Sequence, residues 1–89
     1  MKHEDFYKAV LELKTVEECH DFFEDIATKN EVQDFSDRLM VAKLLHEGNT
    51  YESITKETQI SSATIARINR ALAHGTGAYK KILDRLKKD

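Results

Sequence analysis

Residues that interrupt helices are almost missing from this chain. Among its 89 residues there is no proline, and glycine occurs only at positions 48, 75 and 77. Proline and glycine are the strongest breakers of regular structure, whereas the abundant lysine, glutamate, leucine and alanine favour helices. A chain of this length forms one small domain. The pattern therefore predicts a single all-α domain with short connections.

Apolar residues at helical spacing predict six helices. The first is expected at about 3–14, the third at 31–47, the fourth at 51–58 and the last at 77–87. Thr15 opens the second helix, because the sequence from Thr15 to Glu18 fits the capping box S/T-x-x-E. Asn30 and Thr50 are the expected caps of the third and fourth helices, and Gly48 ends the third. Either Ser61 or Ser62 caps the fifth, which ends near residue 73.

The expected core lies mainly in the second half of the chain. One apolar set is predicted to hold the fourth and fifth helices together: Ile54, Ile60, Ile65, Ile68 and Leu72. In the last helix, Tyr79, Ile82 and Leu86 are expected to be buried, and so is the lone cysteine, Cys19. The first three helices carry four phenylalanines and more than one apolar face. Apolar surface left over in a small helical domain predicts a symmetric dimer.

Charge is distributed unevenly between the two halves of the chain. Residues 1–49 contain 6 Lys and Arg against 12 Asp and Glu, whereas residues 50–89 contain 8 against 4. No acidic residue occurs between positions 58 and 83. A basic segment without acidic residues is typical of a surface that meets nucleic-acid phosphates. The charge pattern favours DNA binding by the second half alone.

Residues 48–75 have the layout of a helix-turn-helix, with a short helix, a tight turn and a longer second helix. At about 100° per residue, the second helix places Ala63, Ala66, Arg67 and Arg70 opposite Ile65. Small residues let a helix approach the floor of the major groove, and arginine donates to guanine edges or phosphates. The predicted DNA-binding residues are Thr50, Ser61, Ser62, Ala63, Thr64, Ala66, Arg67 and Arg70.

Residues 37–75, from "DRLMVAKLLHEG" through "TYESITKET" to "SSATIARINRALAHG", resemble the tryptophan-repressor family, in particular its small bacterial YerC/YecD-type branch. The resemblance implies a six-helix tryptophan-repressor-like fold that forms an intertwined homodimer. It further implies dimerisation helices in residues 1–48, a helix-turn-helix in 49–75 and a C-terminal helix in 76–89. Such a protein is a cytoplasmic transcription repressor that binds a palindromic operator in double-stranded DNA.

The resemblance also implies an effector site, at Arg38, Thr64 and Arg67. In the tryptophan repressor two arginines sandwich the indole ring, and Arg38 and Arg67 match them by position. Ile68, however, replaces a glycine, and Ala71 replaces a serine that lies near the ligand's ammonium group. A bulky Ile68 fills the space that the indole needs, and overpacking of this kind costs about 1–3 kcal/mol. We therefore expect no tryptophan co-repressor and no cofactor, while the sequence does not specify whether another small molecule acts as effector. A repressor that needs no ligand is a further alternative.

Three residues of the helix-turn-helix depart from the common pattern. Thr55 replaces the usual alanine, Thr58 the usual leucine and Gln59 the usual glycine. These replacements predict a looser or differently bent turn.

Other functions find less support in the sequence. No two of the four histidines are spaced at i+3 or i+4, and no HExxH motif occurs, so no metal site is expected. Phosphate loops and nucleophile elbows are missing too, and the acidic run from Glu17 to Asp25 is typical of a solvated helix face, so we expect no enzyme. No apolar run approaches a membrane span. The remaining alternative is a dimeric protein-interaction or accessory module whose helix-turn-helix does not read DNA.

Overall fold

The structure is a computed structural model that describes residues 1–87. It contains six helices: α1 (Glu4–Leu11), α2 (Val16–Ile26), α3 (Lys29–His46), α4 (Tyr51–Thr58), α5 (Ser62–His74) and α6 (Ala78–Lys87). The described residues include no strand, and the all-α prediction is confirmed. Each predicted helix end lies within about three residues of the observed one. Positions 88 and 89 of the predicted C-terminal segment lie outside the described residues.

Capping boxes start both α2 and α3. Thr15 Oγ1 accepts the N–H of Glu18 at 3.0 Å, as predicted, and the Glu18 carboxylate accepts the N–H of Lys14 at 2.9 Å. The prediction that Asn30 caps α3 is wrong. The cap is Thr28, whose hydroxyl accepts the Glu31 N–H at 3.1 Å while the Glu31 carboxylate accepts the Thr28 N–H at 2.8 Å. The signal was in the sequence, since residues 28–31 also fit S/T-x-x-E.

Hydrogen bonding in the second box changes the acidity of Glu31. The Thr28 N–H, and then the Thr28 hydroxyl, stabilise the charged carboxylate and lower the pKa of Glu31. In α2, a hydrogen bond to Asp21 raises the pKa of His20. Both groups are exposed; the bonds of Glu31 order the start of α3, whereas the contact between His20 and Asp21 lies in the middle of α2.

Gly48 ends α3 in the manner that the sequence predicts. Its φ is +94°, a left-handed conformation that glycine adopts without a steric penalty. The N–H of Gly48 donates to the Leu45 carbonyl and that of Asn49 to the Leu44 carbonyl, both at 3.0 Å. These two bonds form a Schellman motif, which satisfies carbonyls that the end of a helix leaves unpaired.

The chain divides into two compact units, residues 1–34 and residues 35–89. All buried residues of the described chain belong to the second unit. A cluster from α3, α4, α5 and α6 forms its core, with partly buried residues packed around it. The buried members are Val41, Ala42, Ile54, Ile65, Ile68 and Leu83, and the packed neighbours are Leu44, Leu45, Ile60 and Tyr79. Leu72 is buried as well, so the predicted set for α4 and α5 is confirmed apart from Ile60, which is half-buried.

The unit of residues 1–34 has no buried residue in α1 or α2. Its aromatic side chains contact one another: the rings of Phe6 and Phe22 stack at 6.4 Å, and Phe22 meets Phe23 edge-on at 5.5 Å. Other apolar side chains of this unit remain in solvent, since Leu11 is 81% and Val16 is 82% exposed. Cys19 is exposed, so the expectation that it fills a core is wrong.

The buried side of α6 is rotated from the predicted one. Leu83 is buried and Tyr79 is half-buried, whereas Ile82 and Leu86 are 43% and 53% exposed. The apolar stripe of α6 is about 100° wide, and the core of this unit covers only the edge that contains Leu83. Spacing alone could not show which edge of a wide stripe is covered.

Candidate nucleic-acid interface

The core fixes which side of α5 faces solvent. Ile65, Ile68 and Leu72 are at most 7% exposed, so α5 cannot rotate without removing them from the core. The opposite positions are therefore exposed. Among the predicted DNA-binding residues of this helix, Ser62, Ala63, Arg67 and Arg70 are exposed, and Thr64 and Ala66 are half-buried.

Ser61, rather than Ser62, caps the first turn of α5. Its Oγ accepts the N–H of Thr64 at 3.2 Å and donates to Thr64 Oγ1 at 3.1 Å. The amides of Ser62 and Ala63 precede the first residue that an α-helix can pair internally. No acidic residue stands in this first turn, so nothing competes with an external anion for these donors.

Thr50 holds the start of α4 in a similar way. Its Oγ1 accepts the Ser53 N–H at 3.1 Å, and the Ser53 hydroxyl donates to the Thr50 carbonyl at 3.0 Å. Thr50 is itself exposed. The structure thus places Thr50 at a capped helix start, and it places Ser61 and Thr64 together at another.

The turn between α4 and α5 depends on Thr58, a role that sequence reasoning missed. Its hydroxyl donates to the Ile54 carbonyl at 2.7 Å and accepts the Ile60 N–H at 3.2 Å. Gln59 adopts the left-handed conformation, φ +68°, in which a glycine would be unstrained. The sequence contained a signal for this role. Thr58 stands four residues after Ile54, and a threonine hydroxyl in a helix can reach the carbonyl four residues earlier.

Two of the three predicted effector residues, Arg38 and Thr64, make local contacts. The Arg38 guanidinium lies 5.6 Å from the centroid of the Phe35 ring, and Thr64 bonds Ser61. Arg67 is exposed. Ile68, at the position of the tryptophan repressor's glycine, is 5% exposed and packs in the core. Its side chain is part of the structure that supports α5.

In residues 1–87, no helix combines the length and apolar character that a membrane span requires. The same residues contain no group of three or more His, Cys, Asp or Glu side chains arranged to hold a metal ion.

A short capped helix, a three-residue turn and a longer helix packed on a shared core define a helix-turn-helix on an all-α scaffold. Comparison with known proteins specifies the family. The model of the Trp repressor protein family matches residues 2–87, so the chain belongs to that family.

Relatives and solved structures agree with this assignment. The chain is 49% identical over 81 residues to the uncharacterised protein YerC of Bacillus subtilis (strain 168), covering 91% of this chain and 78% of YerC. A TrpR-like protein from Eubacterium eligens is 44% identical with a TM-score of 0.90, over 94% of this chain and 87% of that one. A candidate Trp repressor from Staphylococcus aureus is also 44% identical with a TM-score of 0.90, over 97% and 86%.

Proposed function

We propose that this protein is a sequence-specific DNA-binding transcription repressor that acts as a homodimer. The observation that carries the proposal is the outward side of α5. It exposes Ser62, Ala63, Arg67 and Arg70, lacks acidic residues and is backed by the buried residues of the core. The family assignment supports the same class of function.

Each part of this surface has a distinct role in the proposal. The first-turn amides of α5, with Ser61 and Ser62, contact a phosphate, and Thr50 contacts another at the start of α4. Ala63 and Ala66 let the helix approach the base edges, while Arg67 and Arg70 donate to guanine or to phosphate oxygens. Thr64 completes the surface next to Ser61.

The homodimer is supported by the exposed apolar side chains of residues 1–34. A unit with no buried side chain in α1 or α2 gains little stability alone, and a second copy would remove those side chains from water. A two-fold dimer presents two copies of α5 and therefore reads a palindromic operator. We further propose that the protein works in the bacterial cytoplasm.

Control by tryptophan is not part of the proposal. The side chain of Ile68 is packed in the core, and Ala71 has no hydroxyl that could accept a hydrogen bond from an ammonium group. We expect calorimetry to detect no saturable binding of tryptophan. Tight binding would contradict this part of the proposal and leave DNA binding untouched.

The proposal is tested by recovering bound DNA across the genome of the source bacterium, followed by fluorescence anisotropy on the recovered duplexes. Substitution of Arg67 or Arg70 by alanine should weaken binding by about 1–3 kcal/mol each. Lys14→Ala with Lys29→Ala is the matched control for charge and should bind like the unsubstituted protein. If neither low salt nor any recovered sequence gives binding, the chain is an accessory or protein-interaction module instead.

A further inference from the structure

The outer side of α6 is a basic ridge, formed by Lys81 and Arg85. Each lies two residues from the buried Leu83, and so about 160° around the helix from it. Lys80 and Lys87 lie nearer the side of Leu83, about 60° and 40° around the helix from it, and all four basic side chains are exposed. Within residues 1–87 none of the four forms an ion pair.

Asp84, the one acidic residue of α6, is engaged elsewhere. Its Oδ1 lies 3.3 Å from Nε2 of His46, at the end of α3. Lys80 stands four residues before Asp84, at the spacing of a helical ion pair, yet the two are not paired in the structure. Asp84 therefore contacts His46 and forms no ion pair with the described basic side chains of α6.

Part of the charge of α6 opposes the stability of the helix, whereas Arg85 and Lys87 in its last turn favour the helix dipole. Lys81 and Arg85 are like charges at i, i+4, a spacing at which they repel. Lys80 and Lys81 stand in the first turn, where the helix dipole disfavours cations. Helices α1 to α4 each have an acidic residue in that turn, whereas α5 and α6 have none. Local choices that oppose the fold are expected where a ligand compensates for them.

We infer that the ridge on α6 binds the backbone phosphates of the same DNA duplex, beyond the bases that α5 reads. Only residues 75–77 separate α5 from α6, and the acid-free segment 58–83 continues from one helix into the other. A repeating polyanion suits a ridge of flexible cations without a built pocket, and such contacts add affinity without sequence preference. This inference rests on the proposed DNA-binding function.

The experiment measures affinity for one duplex at several salt concentrations, by fluorescence anisotropy. The probe is a duplex from the genome-wide recovery, with about ten extra base pairs on each side. Lys81→Ala with Arg85→Ala should reduce the slope of log K against log salt by about 2 per chain, because two phosphate contacts are lost. The rank order of affinities for different sequences should not change.

Controls separate this effect from changes in folding or net charge. Lys14→Ala with Lys29→Ala removes the same charge from the acidic half and should leave the slope unchanged. Lys81→Arg should retain it, and circular dichroism should show the same helix content in all variants, since alanine is a good helix former.

The possible failures are distinguishable. Unchanged slope in Lys81→Ala with Arg85→Ala, while the unsubstituted protein binds DNA, overturns the inference and leaves the proposed function standing. Absence of DNA binding by the unsubstituted protein at low salt overturns both. If the slope is unchanged but sedimentation shows weaker association between subunits, the ridge meets an acidic protein surface, and the DNA assignment of α6 is wrong.

Discussion

Residues 1–34 and residues 35–87 are built from similar amphipathic helices but bury their apolar side chains very differently. In the second unit, four helices enclose Val41, Ile54 and Ile65 completely. In the first, two short helices leave Leu11 and Val16 mostly exposed. Four elements can surround a core, whereas a pair of helices of 8 and 11 residues cannot. The difference shows that the second unit has a core of its own, whereas α1 and α2 of the first unit bury no side chain.

The largest expected effect breaks the core of the second unit. Ile54→Ala should lower the free energy of unfolding by about 2–5 kcal/mol, because the side chain is fully buried and leaves a cavity. Ile54→Val should cost about 0.5–1.5 kcal/mol. Urea unfolding followed by circular dichroism measures both. Equal stabilities of the two variants would show that Ile54 does not support the core.

A smaller effect is expected for association through the first unit. Val16→Asp should weaken dimerisation tenfold or more, since a carboxylate would have to leave water at the interface. At the first position of α2 the new charge favours the helix dipole, so the helix itself should not be harmed. Sedimentation equilibrium gives the dissociation constant. The control is Asn30→Asp, with the same charge in the first turn of α3, and equal effects of the two substitutions would argue against an interface at Val16.

Two threonines of α4 test how hydrogen bonding affects the stability of the second unit, because the same substitution should have opposite effects on the free energy of unfolding at the two positions. Thr55 Oγ1 is buried and has no hydrogen-bond partner among the described residues, whereas Thr58 makes two hydrogen bonds. Thr55→Val should raise the free energy of unfolding by about 1 kcal/mol, and Thr58→Val should lower it by about 1 kcal/mol. Thermal unfolding at one protein concentration compares them. Effects of the same sign would show that these hydrogen bonds do not decide the stability of the turn.

The smallest expected effect is on the stability of the first unit at acidic pH. Because the pKa of Glu31 is lowered by folding, its capping box stabilises the folded state above the unfolded pKa of 4.5. This stabilisation is lost as the pH falls through the lower folded pKa. A carbon-detected NMR titration should place the midpoint of Glu31 below 4.5, and Thr28→Ala should move it back toward that value. A midpoint at or above 4.5 would exclude the capping interaction.

Much of the fold could be predicted from local signals. The caps at Thr15, Thr50 and Ser61 and the termination at Gly48 act within four or five residues, so neighbouring residues specify them. The Thr28 box was equally local and was overlooked. At Gly75 the constraint is local as well, because a Cβ there would collide with the carbonyl oxygen of Ala71, four residues earlier.

The candidate DNA-binding surface was predictable in the same way, because the core side of α5 determines its outer side. The outer residues follow from Ile65, Ile68 and Leu72 by helical geometry alone. The sequence could not show that Thr58 is hydrogen-bonded while the hydroxyl of Thr55 has no partner among the described residues. Both residues are threonines in one short helix, and only their surroundings in the fold give them opposite roles.

Local signals are enough to specify the helical class, most helix ends and the basic character of the second half, because propensity, capping and charge are properties of neighbouring residues. Which apolar residues are buried depends on how the helices pack. The tertiary structure selected Leu83 over Ile82 and Leu86, left Cys19 in solvent and paired His46 with Asp84 across 38 positions of the chain. A helical stripe shows which residues can be buried together, but burial also requires a second surface, and its position depends on the whole fold.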